Sequence, residues 1–139
     1  MTAVLLERLI RVVVVDDNLL KRGALRFSLE RIPNMKVLGE AVDGYEAIEM
    51  VVDLNPDVVL MDINLPILNG IEATRIITSQ FPETRVIVLA KPSDQTKSDL
   101  ALQAGACQLL TNDSSPKKVL DAIRACSSVP FKIVGYLPH

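Results

Sequence analysis

Aromatic residues are scarce in this chain of 139 residues. They make up 4% of the sequence, as three Phe, two Tyr and no Trp. Because flavins and unpaired bases stack on aromatic side chains, this scarcity argues against a platform for either. Basic residues are not in excess, since 15 Lys and Arg stand against 17 Asp and Glu. The resulting net charge of −2 excludes the basic footprint that nucleic-acid-binding domains carry.

Histidine and cysteine are almost absent. His139 is the one histidine, so there is no histidine pair for metal binding or acid–base catalysis. Cys107 and Cys126 fit neither a CxxC motif nor the spacing of metal ligands, so we expect both to be reduced, small buried apolar residues in a reducing compartment. No apolar run is long enough to cross a bilayer, and Glu7 and Arg8 interrupt the apolar start, so no secretory signal is expected. The predicted location is the cytoplasm.

Aliphatic residues, by contrast, are abundant and occur in short runs. Five runs rich in Val, Ile or Leu have the length of strands and no clean alternation, which is typical of strands buried on both faces of a parallel sheet. They cover residues 11–15, 36–41, 57–61, 85–90 and 107–110. Helical spacing follows each run, over residues 19–31, 44–54, 70–81 and 93–104 and over a segment that opens at Ser115-Pro116. Strand and helix alternating five times predict one doubly wound α/β domain with a five-stranded parallel sheet.

The last segment, residues 127–139, breaks this rhythm. It is apolar and extended in character, and it holds Phe131 and Tyr136. We therefore predict a domain over residues 10–126 followed by a tail. Two interpretations of the tail remain open: a linker toward an effector module, or a docking or dimerisation segment.

Acidic residues lie where the first and third predicted strands end. Asp16 and Asp17 follow the first strand, and Asp62 follows the third. Ligands of open parallel sheets bind at the carboxyl ends of the strands, and three carboxylates that converge there repel one another and call for a cation. Oxygen-only ligation suits Mg²⁺, and an aspartate beside such a cation can accept a phosphoryl group. Asp16 and Asp17 have a second interpretation, as a helix N-cap with acidic first-turn residues.

These residues resemble the receiver domain of two-component response regulators, over about residues 10–126. The resemblance rests on the acidic pair after the first strand and on four motifs, which are Asn55-Pro56-Asp57-Val58-Val59-Leu60-Met61-Asp62, Leu65-Pro66, Asn69-Gly70 and Gly105-Ala106. The stretch 62–70 is most similar to the NarL/FixJ-type branch, whose members usually carry a C-terminal helix-turn-helix. The resemblance implies a flavodoxin-like fold with strand order 2-1-3-4-5.

The resemblance also implies roles for individual residues. Asp62 is the phospho-acceptor, Asp16 and Asp17 join it as Mg²⁺ ligands, and Asn64 adds its backbone carbonyl. A histidine kinase or phosphotransfer protein supplies the phosphoryl group. Output passes through homodimerisation or through a C-terminal effector that regulates transcription, while this chain itself binds neither DNA nor a membrane. It is not expected to be an enzyme beyond assisting its own phosphorylation and dephosphorylation.

Three positions depart from the pattern of the family. The family has Ser or Thr at the end of the fourth strand, Tyr or Phe on the fifth and Lys at its end, whereas this chain has Ala90, Leu109 and Asn112. A lysine about 4 Å from a phosphoryl oxygen contributes up to roughly 4 kcal/mol, and an asparagine hydrogen bond only about 1 kcal/mol. Lys91, next to the fourth strand, is either an auxiliary cation that swings toward the site or a solvated loop lysine.

Two functions therefore stand as hypotheses. In the first, the chain is a receiver that is controlled by phosphorylation of Asp62. In the second, it is a phosphorylation-independent pseudo-receiver that serves as an interaction or dimerisation module, held in one state by Ala90 and Leu109. An enzyme on a flavodoxin-like fold is a third class, which the lack of stacking aromatics and of any Ser/His or Cys/His pair disfavours.

Overall fold

The computed structural model describes residues 2–7, 9–127 and 131–137. Within these ranges the strands are β1 (Thr2–Glu7), β2 (Ile10–Val15), β3 (Met35–Ala41), β4 (Val58–Asp62), β5 (Arg85–Ala90), β6 (Gln108–Thr111) and β7 (Phe131–Leu137). The helices are α1 (Leu19–Glu30), α2 (Gly44–Leu54), α3 (Gly70–Gln80), α4 (Gln95–Gln103) and α5 (Pro116–Cys126). Every strand and helix predicted between residues 10 and 126 is present, with ends shifted by no more than two residues.

A sheet of five parallel strands forms the centre of the domain. Its order is β3-β2-β4-β5-β6, and every neighbouring pair is parallel. Counted over the five predicted strands this is the order 2-1-3-4-5, so the predicted doubly wound fold is confirmed. Along β2, Val12 and Val14 join the hydrophobic cluster on one face of the sheet, and Val13 and Val15 join the cluster on the other. Burial on both faces explains why the strands appear in the sequence as unbroken aliphatic runs.

Polar side chains determine where four of the five helices between residues 10 and 126 begin. Asn18, Asp43, Asn69 and Ser115 each accept a hydrogen bond from a backbone N–H in the first turn of α1, α2, α3 and α5 respectively. Pro116 occupies the start of α5, as predicted. At the start of α4 the side chain of Asp94 makes no such capping hydrogen bond. None of the helices in the described ranges is long and apolar enough to span a membrane.

β1 and β7 form a separate two-stranded antiparallel sheet, and β1 is an element that we did not predict. Thr2 pairs with Leu137 and Glu7 pairs with Phe131. The pairing brings a segment that precedes the α/β domain alongside a segment that follows it. The division of the chain at residue 126 and the role of residues 127–139 as linker or docking segment stay predictions. Residues 128–130, 138 and 139 of that tail lie outside the described residues.

The expectation of two free, buried cysteines is wrong. Cys107 and Cys126 form a disulfide bond, with their Cα atoms 6.1 Å apart. Cys126, the last residue of α5, is buried, whereas Cys107, just before β6, is exposed. The two residues are 19 positions apart in sequence, and the chain returns along α5 to bring them together, which spacing alone does not reveal. The argument for a reducing compartment, which rested on free cysteines, loses its support.

Removal of the disulfide should destabilise the domain. A cross-link that closes a loop of about 20 residues restricts the unfolded chain and contributes roughly 3 kcal/mol. We expect Cys107→Ser, at the exposed partner, to lower the free energy of unfolding in urea by about that amount, and dithiothreitol to do the same to the unsubstituted chain. Dithiothreitol should leave Cys107→Ser unchanged, because no bond remains to be reduced. Two reactive thiols in the native, unreduced chain would contradict the pairing.

Candidate functional site

Three carboxylates meet at the carboxyl end of the sheet. Asp16 and Asp17 follow β2, Asp62 ends β4, and these strands lie side by side with Val15 opposite Met61. One carboxylate oxygen from each aspartate lies within 4.8 Å of the others. Asp16 and Asp62 are buried, and Asp17 is exposed. The three side chains therefore form one acidic site that is open to solvent at Asp17.

The chemistry of this donor set fits a hard divalent cation. All three donors are carboxylate oxygens, and Mg²⁺ prefers such oxygens and completes its shell with water. Without a cation, like charges this close repel one another. Asp16, Asp17 and Asp62 are thus the residues that could hold Mg²⁺. The backbone carbonyl of Asn64 as a further ligand stays a prediction.

Asp16 and Asp17 are not the cap of α1. Asn18 holds the cap position and accepts a hydrogen bond from the backbone N–H of Lys21, and the first turn of the helix contains no acidic residue. Asp16 Oδ1 accepts a hydrogen bond from the N–H of Asn18 over 2.8 Å, and the Asp16 carbonyl accepts one from the Arg22 guanidinium over 2.9 Å. The interpretation of the acidic pair as helix-capping chemistry is therefore wrong.

Burial has the largest effect on the pKa of the Asp62 carboxyl. Desolvation raises the pKa of the Asp62 carboxyl above its ordinary value, and the negative charges of Asp16 and Asp17 raise it further. Two influences lower this pKa: the N–H of Asn64 donates to Asp62 Oδ1 over 2.9 Å, and Lys21 contributes positive charge. A cation bound beside Asp62 would favour the ionised form.

The loop after Asp62 is packed closely against the acidic site. Gly70, the first residue of α3, lies so near the backbone carbonyl of Asp62 that a Cβ atom there would clash with it. Ile67 has a φ of 67°, a left-handed conformation that strains a β-branched residue, and its side chain is 81% exposed. Asn64 Oδ1 accepts a hydrogen bond from Lys97 Nζ of α4 over 3.1 Å. Sequence reasoning missed the left-handed conformation of Ile67 and the hydrogen bond from Lys97 to Asn64, because both depend on the path of the backbone.

The three positions that depart from the family's pattern lie on β5 and β6. Ala90 ends β5 and is buried, and its carbonyl accepts a hydrogen bond from the N–H of Asn112, just beyond β6. Leu109 is half-buried and packs against the hydrophobic cluster that contains Val88. No hydroxyl, aromatic ring or lysine is present at these positions. Lys91 is exposed, and its role as an auxiliary cation stays a prediction.

Lys21 is a positively charged residue beside the acidic site that sequence reasoning also missed. Lys21, in the first turn of α1, lines a cavity of about 450 Å³ between α1 and α5 together with Asp16 and Asn112. It stands four residues after Asp17, in the first turn of the helix that follows the acidic pair. That spacing was the available signal.

Two ion pairs hold α1 against the edge strand β3. Arg22 Nε lies 2.9 Å from Glu40 Oε1, and Arg26 Nη1 lies 2.8 Å from Glu40 Oε2. The hydrogen bond from Arg26 lowers the pKa of the Glu40 carboxyl, and the bond from Arg22 adds to this effect. Because Arg22 also donates to the carbonyl of Asp16, the network supports the strand end that carries the acidic pair.

Sequence comparison relates the chain to response regulators. Residues 12–124 match the family model of the response regulator receiver domain. The chain is 40% identical over 139 residues to the transcriptional regulatory protein LiaR of Bacillus subtilis, covering 94% of this chain and 66% of LiaR. It spans about half to two thirds of the length of the first curated relatives that it matches.

Solved structures show the same relationship. The response regulator domain of Thermotoga maritima CheB has a TM-score of 0.78 and 38% identity, covering 86% of this chain and 96% of that one. A two-component response regulator of the LuxR family from Aurantimonas sp. SI85-9A1 has a TM-score of 0.77 and 34% identity, covering 90% of this chain and 84% of that one.

Asp62→Asn should stabilise the domain at neutral pH in buffer without divalent cations. The pKa of Asp62 is raised in the folded state, so its ionisation costs free energy of folding above that pKa and costs nothing below the unfolded value. The gain should therefore be absent in acid and grow as pH rises from the ordinary pKa through the raised one. Thermal unfolding across pH measures it, with Asp17→Asn at the exposed member as a control that gains less. A lower unfolding temperature for Asp62→Asn at neutral pH would contradict this expectation.

Proposed function

The chain belongs to the receiver domain family of two-component response regulators, and we propose that it accepts a phosphoryl group on Asp62 from a histidine kinase or a phosphotransfer protein. One observation carries the proposal: Asp62 is buried at the end of β4, within 4.8 Å of the carboxylates of Asp16 and Asp17. A bound cation would relieve the repulsion among these charges, and phosphoryl transfer makes use of such a cation.

Transfer to Asp62 exchanges one bond to phosphorus for another. An oxygen of Asp62 attacks the phosphorus of a phosphohistidine, and the P–O bond forms as the P–N bond breaks. The electron pair of the P–N bond leaves with the imidazole nitrogen. Asp62 Oδ1 accepts the hydrogen bond from Asn64, so we assign the attack to Oδ2. The product is an acyl phosphate, whose hydrolysis returns the carboxylate and inorganic phosphate.

In this proposal Mg²⁺ would be held by Asp16, Asp17 and Asp62, with the backbone carbonyl of Asn64 as a further ligand. The metal supplies positive charge against the phosphoryl oxygens. Asp16 is oriented before any ligand binds, because its carboxylate accepts the N–H of Asn18. Asp17, exposed at the mouth of the site, is the ligand that solvent and a donor protein can reach.

This chain departs most from its family at the residues that couple phosphorylation to output. Ala90 and Leu109 provide neither the hydroxyl nor the aromatic ring of the family's switch. We therefore propose that phosphorylation acts through homodimerisation or through an effector module in the whole protein. Curated relatives longer than this chain are named as transcriptional regulators, which supports an output in transcription, with DNA bound by the effector module.

Acetyl phosphate with Mg²⁺ tests the proposal on the intact chain. We expect the intact mass to rise by one phosphoryl group and hydroxylamine, which cleaves acyl phosphates, to remove it. Asp62→Asn should remain unmodified. Asp17→Asn should react at least about tenfold more slowly, because it lacks a metal ligand, and chelation of Mg²⁺ should stop the reaction.

Asp57→Asn is the matched control, because Asp57 precedes β4 at the opposite end of the strand and accepts a hydrogen bond from the N–H of Arg11. It should be modified at the rate of the unsubstituted chain. An unmodified chain, or equal modification of Asp62→Asn, would overturn the proposal. An oligomeric state that beryllofluoride does not change would then favour the phosphorylation-independent module.

A further inference from the structure

One divalent metal ion would not offset all the negative charge of the acidic site once Asp62 is phosphorylated. Three carboxylates around Mg²⁺ leave a surplus of negative charge, and a phosphoryl dianion in place of the Asp62 charge increases that surplus. Asn112, just beyond β6, is uncharged and cannot offset it. A cationic side chain within a few ångströms would contribute far more than a neutral hydrogen bond.

Two lysines near this end of the sheet already have partners. Lys97 Nζ donates to Asn64 Oδ1 over 3.1 Å and lies 3.8 Å from an oxygen of Asp94. Lys117 Nζ lies 2.9 Å from Asp121 Oδ2. Each of these ammonium groups would have to give up an existing contact before it could reach a phosphoryl group.

Lys21 is in a different situation. Within the described part of the chain its ammonium has no hydrogen-bond or ion-pair partner. Its side chain lines the cavity that Asp16, Asn112 and Lys117 also line, so it borders the acidic site on the side where Asn112 lies. Its positive charge already acts on Asp62, whose pKa it lowers. Asn18 caps α1 and thereby fixes the turn that carries Lys21.

We propose that Lys21 is the phosphoryl-binding cation of this receiver, supplying from α1 the positive charge that Asn112 does not provide at the end of β6. The inference rests on the proposed function of Asp62. It gives Lys21, rather than Lys91, the auxiliary role, because Lys21 shares a cavity with both Asp16 and Asn112.

This role predicts that removal of the Lys21 charge weakens beryllofluoride binding without weakening Mg²⁺ binding. Lys21→Met keeps an apolar stem in the cavity and removes the charge. Calorimetric titration of the intact chain would use Mg²⁺ alone, and then beryllofluoride, a phosphoryl mimic, at saturating Mg²⁺. We expect beryllofluoride to bind at least about tenfold more weakly to Lys21→Met, and Mg²⁺ to bind equally or more tightly because a repelling charge is gone. Weakening of both ligands would indicate structural damage and overturn the assignment.

Matched variants separate Lys21 from its neighbours. Lys91→Met, Lys97→Met and Lys117→Met should each change beryllofluoride affinity less than about twofold, and a loss equal to that of Lys21→Met would overturn the assignment. Adding Asn112→Lys to Lys21→Met should restore affinity, and failure to do so would count against charge as the cause. If the unsubstituted chain binds beryllofluoride and Lys21→Met binds it equally well, the inference fails and the proposed function stands. If the unsubstituted chain binds none, both fail.

Discussion

Repulsion among Asp16, Asp17 and Asp62 is the constraint on which the rest of the site depends. The carboxylates cannot move apart freely, because two of them follow β2 and the third ends β4, and these strands are paired in register. Residues 12–15 and 58–61 of the two strands are almost completely buried, so packing in the core fixes the positions of the strand ends that carry the aspartates. The aliphatic core therefore supplies the free energy that holds these like charges together.

One helix organises much of the surroundings of these charges. α1 begins at Leu19, directly beyond the acidic pair, and its cap Asn18 also donates to Asp16. One turn further on, Arg22 contacts both the Asp16 carbonyl and Glu40 of β3. The helix is thus tied to the strand end on one side and to the edge of the sheet on the other. These hydrogen bonds and this ion pair hold the helix in place and thereby determine the position of Lys21.

Local sequence signals and topology account for what could be predicted. Aliphatic runs specified the strands, Ser115-Pro116 marked the start of α5, and convergence of Asp16 with Asp62 followed from the parallel order of the sheet. Contacts that depend on the rotation of a helix or the path of a loop were not predictable in this way. The cavity shared by Lys21 and Asn112 is one such contact, and so is the pairing of β1 with β7. The disulfide was missed for the same reason, since it depends on where the end of α5 lies in space.

The bond between Cys107 and Cys126 has a mechanical consequence. It closes a covalent ring that contains both β6 and α5, and the chain leaves this ring at the last residue of the helix. Tension on the chain beyond Cys126 would therefore be shared, passing into α5 along the backbone and into the start of β6 across the sulfur atoms. Since β6 pairs with β5, which pairs in turn with β4, such a load would spread across the sheet toward the strand that carries Asp62. With the bond reduced, the same load would act only on the last turn of α5.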